Sequence, residues 1–244
     1  MNRSLIFASL LFSANLAQAD ILKLAVTTSF ENSGLADVLL PVAEADLGLD
    51  VQLLVVGTGQ ALRLGEAGDV DAILVHSRAS EEAFVSDGFG THRREIMFND
   101  FVLIGPKSDK AQIGATSGAA ESLQKIADAQ ATYVSRGDDS GTHKTELKVW
   151  QIAERAPATF GSWYNDVGAG MGAALNTASA LNAYILSDRA SWLNFKNKGD
   201  LALLFSGDPV LFNQYAYLPV NSAKHPTVQY EMAMKLEEWL LSDK

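Results

Sequence analysis

The stretch from Ile21 to His76 decides the fold. It opens with Ile21-Leu22-Lys23-Leu24-Ala25-Val26, an apolar run that ends in Thr27-Thr28-Ser29. A second run, Val51-Gln52-Leu53-Leu54-Val55-Val56, ends in Gly57-Thr58-Gly59-Gln60, and a third, Val70 to Val75, ends at His76. Short apolar runs bounded by glycine and hydroxyl residues read as buried strands. Between the first two, Leu35, Val38, Leu39 and Val42 recur at helical spacing, with Pro41 inside the pattern as an expected kink or end. A short helix through Leu62 and Leu64 separates the second and third runs. The result is β-α-β-α-β, the pattern of a parallel sheet flanked by helices.

Further along, Met97 to Ile104 reads as a crossover strand, closed by Gly105-Pro106-Lys107, and the polar stretch Ser108–Ala120 as the entry to a second lobe. Strands are expected at Ala131–Val134, Tyr184–Leu186, Leu201–Phe205 and, as a return strand, Tyr215–Val220. A helix after the first of these carries Leu147 and Trp150 on one side. Another starts at Gly168-Ala169-Gly170-Met171-Gly172, and Val228–Leu241 closes the chain.

The N-terminus has one basic residue, Arg3, an apolar run from Leu5 to Leu16, and Ala17-Gln18-Ala19. These are the three parts of an export signal. The run is too short to span a bilayer, which takes about 20 apolar residues. Cleavage after Ala19 would leave 225 of the 244 residues and, with Arg3 lost, change the net charge from -10 to -11. The expectation is an exported, periplasmic chain that does not span the membrane, without a lipid anchor, since no cysteine stands at the cleavage point. The expected division is residues 1–19 as signal, 20–103 plus 214–244 as lobe 1, and 104–213 as lobe 2.

Composition excludes other classes. Zero cysteines remove disulfide scaffolds and thiolate chemistry. With 29 acidic against 19 basic residues, the chain lacks the basic face that nucleic acid requires.

Three loops carry the chemistry: Thr27-Thr28-Ser29, Gly57-Thr58-Gly59-Gln60, and Ser135-Arg136-Gly137-Asp138-Asp139-Ser140-Gly141-Thr142. Each lies at the carboxyl end of an expected strand, where such sheets bind ligands. Hydroxyls donate hydrogen bonds, glycines let backbone amides approach, and helix N-termini carry free N–H donors and partial positive charge. Arg136 adds a full charge in a planar fork suited to oxyanions. Together they suit an anion with several acceptor oxygens. Thr28 and Ser29 could equally cap a helix. His143 and Glu146 share a helix face, but a metal site needs further ligands, and none is expected; nor is a cofactor. Ser140 with His143 keeps a serine hydrolase conceivable, although no G-x-S-x-G elbow or P-loop is present.

At these residues the chain resembles the tungstate-binding proteins of ABC transporters, over nearly all of its expected mature length. The matching stretches are Thr27–Ser29, Gly57-Thr58-Gly59-Gln60-Ala61-Leu62, Asp71–His76, Asn99-Asp100-Phe101-Val102, Ser135–His143 and Gly170-Met171-Gly172. The resemblance implies a type II periplasmic-binding fold of the α/β class, two lobes joined by two crossing strands. It implies capture of tungstate, or molybdate, for delivery to a membrane permease, with Thr28, Ser29, Thr58, Arg136 and the Ser140-Gly141-Thr142 turn around the anion. Gly59 belongs to the same set, and a monomer is expected. Val26 stands where the family usually has a first threonine.

The alternative is a phosphate-binding protein of the same fold. That family places an aspartate after the third strand, to accept the proton that phosphate carries. By spacing from Asp71, this chain has His76 there. A protonated His76 would donate to a fully deprotonated oxyanion, or it is a core histidine without a ligand role; both readings stand. Either Asp138 or Asp139 could act as an acceptor for a protonated anion; the expectation is that one orients Arg136 and the other holds the turn.

Overall fold

The first apolar run forms an interior strand because Leu22, Leu24, Ala25 and Val26 are all buried, with neighbours on both sides. The computed structural model describes residues 20–243; the expected export signal lies outside the described residues. The chain runs β1 (Asp20–Thr27), α1 (Thr28–Asn32), α2 (Leu35–Leu47), β2 (Leu49–Val56), α3 (Thr58–Ala67), β3 (Ala72–Val75), α4 (Arg78–Ser86) and β4 (Arg94–Pro106). It continues with α5 (Ala119–Asp128), β5 (Tyr133–Ser135), α6 (Gly141–Ile152), β6 (Tyr164–Asp166), α7 (Met171–Leu181), β7 (Tyr184–Asp188), α8 (Arg189–Asn194), β8 (Leu201–Phe205), β9 (Phe212–Pro219) and α9 (Tyr230–Leu240).

The strands form one mixed sheet in the order β2-β1-β3-β9-β4-β7-β5-β6, with β8 also on β4. The first three are mutually parallel, as are β7, β5 and β6. The long strand β4 joins the two halves. Its residues Arg94 to Asp100 pair with β9, and from Phe101 onward it pairs with β7 and β8. β9 begins opposite Asp100 and returns the chain to the first half. At this crossing Arg189 grips Asp100 through two hydrogen bonds of 2.7 and 2.6 Å, and Asn213 donates to Asn99 at 2.6 Å.

Period-2 alternation sorts the core onto both faces of each half. In the first half, Leu22, Leu24, Val26, Leu74 and Tyr217 face α2 and α9, while Ala25, Ile73, Val75, Ala216 and Leu218 face α3 and α4. In the second, Leu103, Tyr133 and Leu186 face α5 and α6, and Ile104, Val134 and Ile185 face α7. Both halves are thus helix–sheet–helix sandwiches. No helix among the described residues is long and apolar enough to cross a membrane.

Several sequence expectations need correction. Helix α2 runs straight through Pro41 to Leu47, and it buries Ala36, Leu40 and Ala43 instead of the expected face. Leu35, Val38 and Val42 are exposed. The segment is apolar on most of its circumference, and the side carrying alanines lets the helix sit close on the sheet. In α6, Trp150 is fully buried and Leu147 is not. Thr58 and Gly59 lie in the first turn of α3, with Gly57 as its cap, and not in the loop before it. Helices α1, α4, α5 and α8 and strand β6 were not expected.

Candidate functional site

The carboxyl ends of β1, β2, β3 and β5 converge, and each delivers a polar loop or helix start to the line where the two halves meet. From the first half come α1, the start of α3 and His76. From the second come the Arg136 loop, the start of α6 and the start of α7. Hydrogen bonds cross the line at three of these places. The Gly141 amide donates to Thr58 Oγ1 at 3.2 Å, the Gly59 amide to the Asp139 carbonyl at 3.0 Å, and the Met171 amide to Thr28 Oγ1 at 3.3 Å. A cavity of about 320 Å³ opens on this seam, lined by Thr28, Gly57, Gln60 and Arg63 from one half and by Arg136, Asp138, Asp139 and Gly168–Gly170 from the other.

Close packing demands glycine at Gly141, whereas at Gly59 a side chain would have to displace the Asp139 carboxylate. A Cβ on Gly59 would lie 1.4 Å from the Asp139 carboxylate, and one on Gly141 would lie 2.6 Å from the His76 ring and 2.8 Å from its carbonyl oxygen. Both contacts run between the halves.

In the first loop, Thr27 is the cap of α1, accepting from the Phe30 amide at 3.2 Å. That role was expected of Thr28 or Ser29. Thr28 instead reaches across to α7, and Ser29 is wholly buried, with its hydroxyl 3.0 Å from Thr27 Oγ1, 3.0 Å from the Tyr215 phenol and 3.2 Å from His76 Nε2. Ser140 caps α6 by accepting from the His143 amide at 3.1 Å, and the buried Thr142 hydroxyl has no hydrogen-bond partner in the structure. The His143 ring turns to Ser135 at 3.2 Å, so it does not pair with Ser140 as a hydrolase would need. Among the described residues no group of three or more acidic or histidine side chains is placed to hold a metal ion.

Arg136 is almost fully buried. Its Nε donates to the Ala169 carbonyl at 3.3 Å and its Nη2 to Asp138. Asp138 also accepts from the Ser140 amide at 3.2 Å, so one aspartate both orients the arginine and holds the turn. Asp139 has a different part from the one expected. It pairs with Arg63 at 3.2 Å across the seam and with Lys144 at 3.0 Å.

His76 corrects a further expectation. Burial, reinforced by the charge of Arg136, pushes its pKa down to about 3, so the ring is neutral and not a charged donor. It packs at a tilt against Tyr215, ring centroids 4.6 Å apart, and borders a second cavity, shared with Lys144 and Lys148, that does not include Arg136. Sequence reading missed two residues. Asp188 ends β7, is fully buried, and has its carboxyl pushed up to about 6 by burial while Arg136 pulls it down. Its signal was present, since an acidic residue between a strand and a helix is a cap, and its Oδ1 accepts from the Ser191 amide at 2.8 Å. Tyr215 gave no such signal; 186 residues separate it from Ser29.

This arrangement offers hydroxyls, helix-start amides and one buried guanidinium to whatever enters the seam. It is a donor-rich site for an anion. Comparisons agree in kind. Residues 14–244 match the model of the PBP superfamily domain. The tungstate-binding protein TupA of Peptoclostridium acidaminophilum is 43% identical over 223 residues, 91% of this chain and 77% of that one. A relative in Haloferax volcanii is 45% identical over 226 residues, 91% of this chain; the chain spans 66% of that protein's length. The crystal structure of the tungstate ABC transporter from Geobacter sulfurreducens is similar with a TM-score of 0.86 at 47% identity, covering 93% of this chain and 96% of that one.

Proposed function

Because this chain belongs to the PBP superfamily, and within it to the tungstate-binding proteins of ABC transporters, we propose that it captures tungstate in the seam between its two halves and hands it to an ABC permease. The reading includes export to the periplasm with removal of residues 1–19. It assigns the protein binding and no turnover, and molybdate as the second anion accepted.

One observation carries the proposal. A buried arginine, held by Ala169 and Asp138, lines a cavity whose other wall is a helix start from the opposite half. The anion first meets Thr28, Ser29, Thr58 and Gly59. The second half then brings Arg136 and the Ser140-Gly141-Thr142 turn onto it. Fixed dipoles and one guanidinium replace water, which suits a dianion in a chain whose net negative charge gives no long-range attraction. Thr142, buried without a partner, is a donor kept for the anion. No carboxylate stands at position 76, and the two that line the cavity are engaged, Asp138 by Arg136 and Asp139 by Arg63 and Lys144, which favours an oxyanion without a proton over phosphate.

Calorimetric titration with tungstate, molybdate, sulfate and phosphate tests the reading. Tight tungstate binding with weak phosphate binding is expected. Micromolar phosphate binding without tungstate binding would overturn it.

A further inference from the structure

Asp139 crosses the seam with both its backbone and its side chain. Its carbonyl accepts from the Gly59 amide at 3.0 Å, and its carboxylate lies so close over Gly59 that a Cβ there would stand 1.4 Å from Oδ2. The same Oδ2 pairs at 3.2 Å with Arg63, one turn further along α3. Asp139 Oδ1 pairs with Lys144 of its own half at 3.0 Å, and Lys144 Nζ donates in turn to Ser80 Oγ of α4 at 3.1 Å. The chain Arg63–Asp139–Lys144–Ser80 thus starts and ends in the first half and passes through the second. It fastens α3 and α4 to the loop that carries Arg136 and to α6.

Arg63 and Asp139 line the seam cavity, yet their side chains are 63% and 50% exposed, so the pair stands on the solvent side of that cavity. A bare carboxylate in this position would repel a dianion. Partial burial pushes the Asp139 pKa up, but its bonds to Lys144 and Arg63 hold the carboxyl below its ordinary value, so it is ionised and balanced by two cations. Attraction between exposed charges is screened by salt. The deeper contacts across the seam, from the Gly141 amide to Thr58 and from the Met171 amide to Thr28, join neutral groups and lack that sensitivity.

We propose that Arg63, Asp139 and Lys144 form a latch on the solvent side of the cavity that sets how fast the captured anion leaves and makes its release respond to ionic strength. This rests on the proposed function and adds the residues that time its last step. They are positioning residues, since they act by holding the two walls together. The halves part only when the Arg63–Asp139 and Lys144–Ser80 bonds have both broken.

The test loads the protein with tungstate enriched in one tungsten isotope, adds an excess of natural tungstate, and follows the bound isotope by mass spectrometry of the desalted protein. Wild type, Arg63→Gln, Arg63→Lys, Asp139→Asn and the double variant Arg63→Gln/Asp139→Asn are compared at about 0.01 M and about 0.15 M salt, where charges are screened over roughly 30 and 8 Å. Release from wild type should quicken about threefold with salt. At low salt Asp139→Asn should release tungstate about three- to tenfold faster than wild type, with little further response to salt. Arg63→Gln should move the same way, Arg63→Lys should stay within about twofold of wild type, and the double variant should be no faster than Asp139→Asn, because both changes break the same pair. Slower release from Asp139→Asn would overturn the inference, since Asp139 would then be a repelling wall. So would wild-type release rates in both single variants, additive effects in the double variant, or a full salt response kept in Asp139→Asn. Wild-type protein that ignores tungstate would remove the proposed function, whereas tungstate binding with unmoved release rates removes only the latch.

Discussion

Gly141→Ala tests whether contact between the halves is part of binding. Gly141 opens α6, and its backbone is not in the left-handed region, so alanine is locally acceptable there. The obstacle lies across the seam. The new methyl would stand 2.6 Å from the His76 ring and 2.8 Å from the His76 carbonyl oxygen, where ordinary contact begins at 3.4 Å. The ring can tilt, but the carbonyl belongs to the turn after β3, so the halves must part by about 0.6 Å. The Gly141 amide is 3.2 Å from Thr58 Oγ1. The same shift carries it beyond hydrogen-bond length and leaves both groups underpaired. One lost buried hydrogen bond with an unsatisfied partner costs about 1–3 kcal/mol, equivalent to a 5- to 150-fold weaker tungstate affinity. The free protein should keep a normal fold by circular dichroism, because each half is packed on its own core. Titration calorimetry on the folded variant reads the effect. Wild-type affinity in Gly141→Ala would refute the reasoning, since it would mean that the His76–Gly141 contact plays no part in the bound form.

Three further outcomes follow from the buried ionisable groups. Arg136→Gln should weaken tungstate binding by at least about 1.5–3 kcal/mol, the range for a hydrogen bond to a charged group, and should also lower the thermal midpoint because Asp138 and Asp188 lose their counter-charge; an unchanged titration would take Arg136 out of the site. Glu146, which accepts from Ser135, Trp150 and Tyr164, is pushed up to about 7 by burial. The folded protein therefore keeps a proton that the unfolded chain has lost, and stability falls as pH rises from about 4.5 to 7, by roughly 3 kcal/mol at most. Urea unfolding across that window should show the decline in wild type and a flatter profile in Glu146→Gln; equal slopes would count against it. His76 acts in the opposite sense, since its pKa is lowered to about 3 and stability is lost as pH falls below 6.5.

Local chemistry was legible in the sequence wherever a residue's role is set by its neighbours in the chain. The strands that open the fold were readable because Leu22, Leu24 and Val26, or Ile73 and Val75, meet cores on both faces of the sheet. The Ser135–Thr142 run was readable because a hydroxyl- and glycine-rich stretch with one arginine between a strand and a helix has few other uses. Helix α2 misled because its circumference is mostly apolar, and only packing against α9 and the sheet chooses among the faces. Helix α5 was overlooked although Ala119, Ser122, Leu123 and Ile126 stand at helical spacing, because alanine and serine disguise the buried stripe. Tyr215 and the pairing of Asp139 with Arg63 depend on residues far apart in sequence, and nothing near them in the chain announces the partner.

The charge of His76 was misjudged for a related reason. A histidine at a strand end looks like a titrating donor until the packing of Phe101, Tyr215 and Gly141 around it is known. Burial, with the charge of Arg136 beside it, leaves a neutral ring.

The most direct measurement is anomalous diffraction at a tungsten absorption edge from a crystal grown with tungstate. One tungsten peak is expected in the seam, within hydrogen-bond reach of Arg136 and of the Thr27–Ser29 and Thr58 loops. A peak in the cavity beside His76 and Lys148, or on the surface of either half, would contradict the claim that this seam is the anion site.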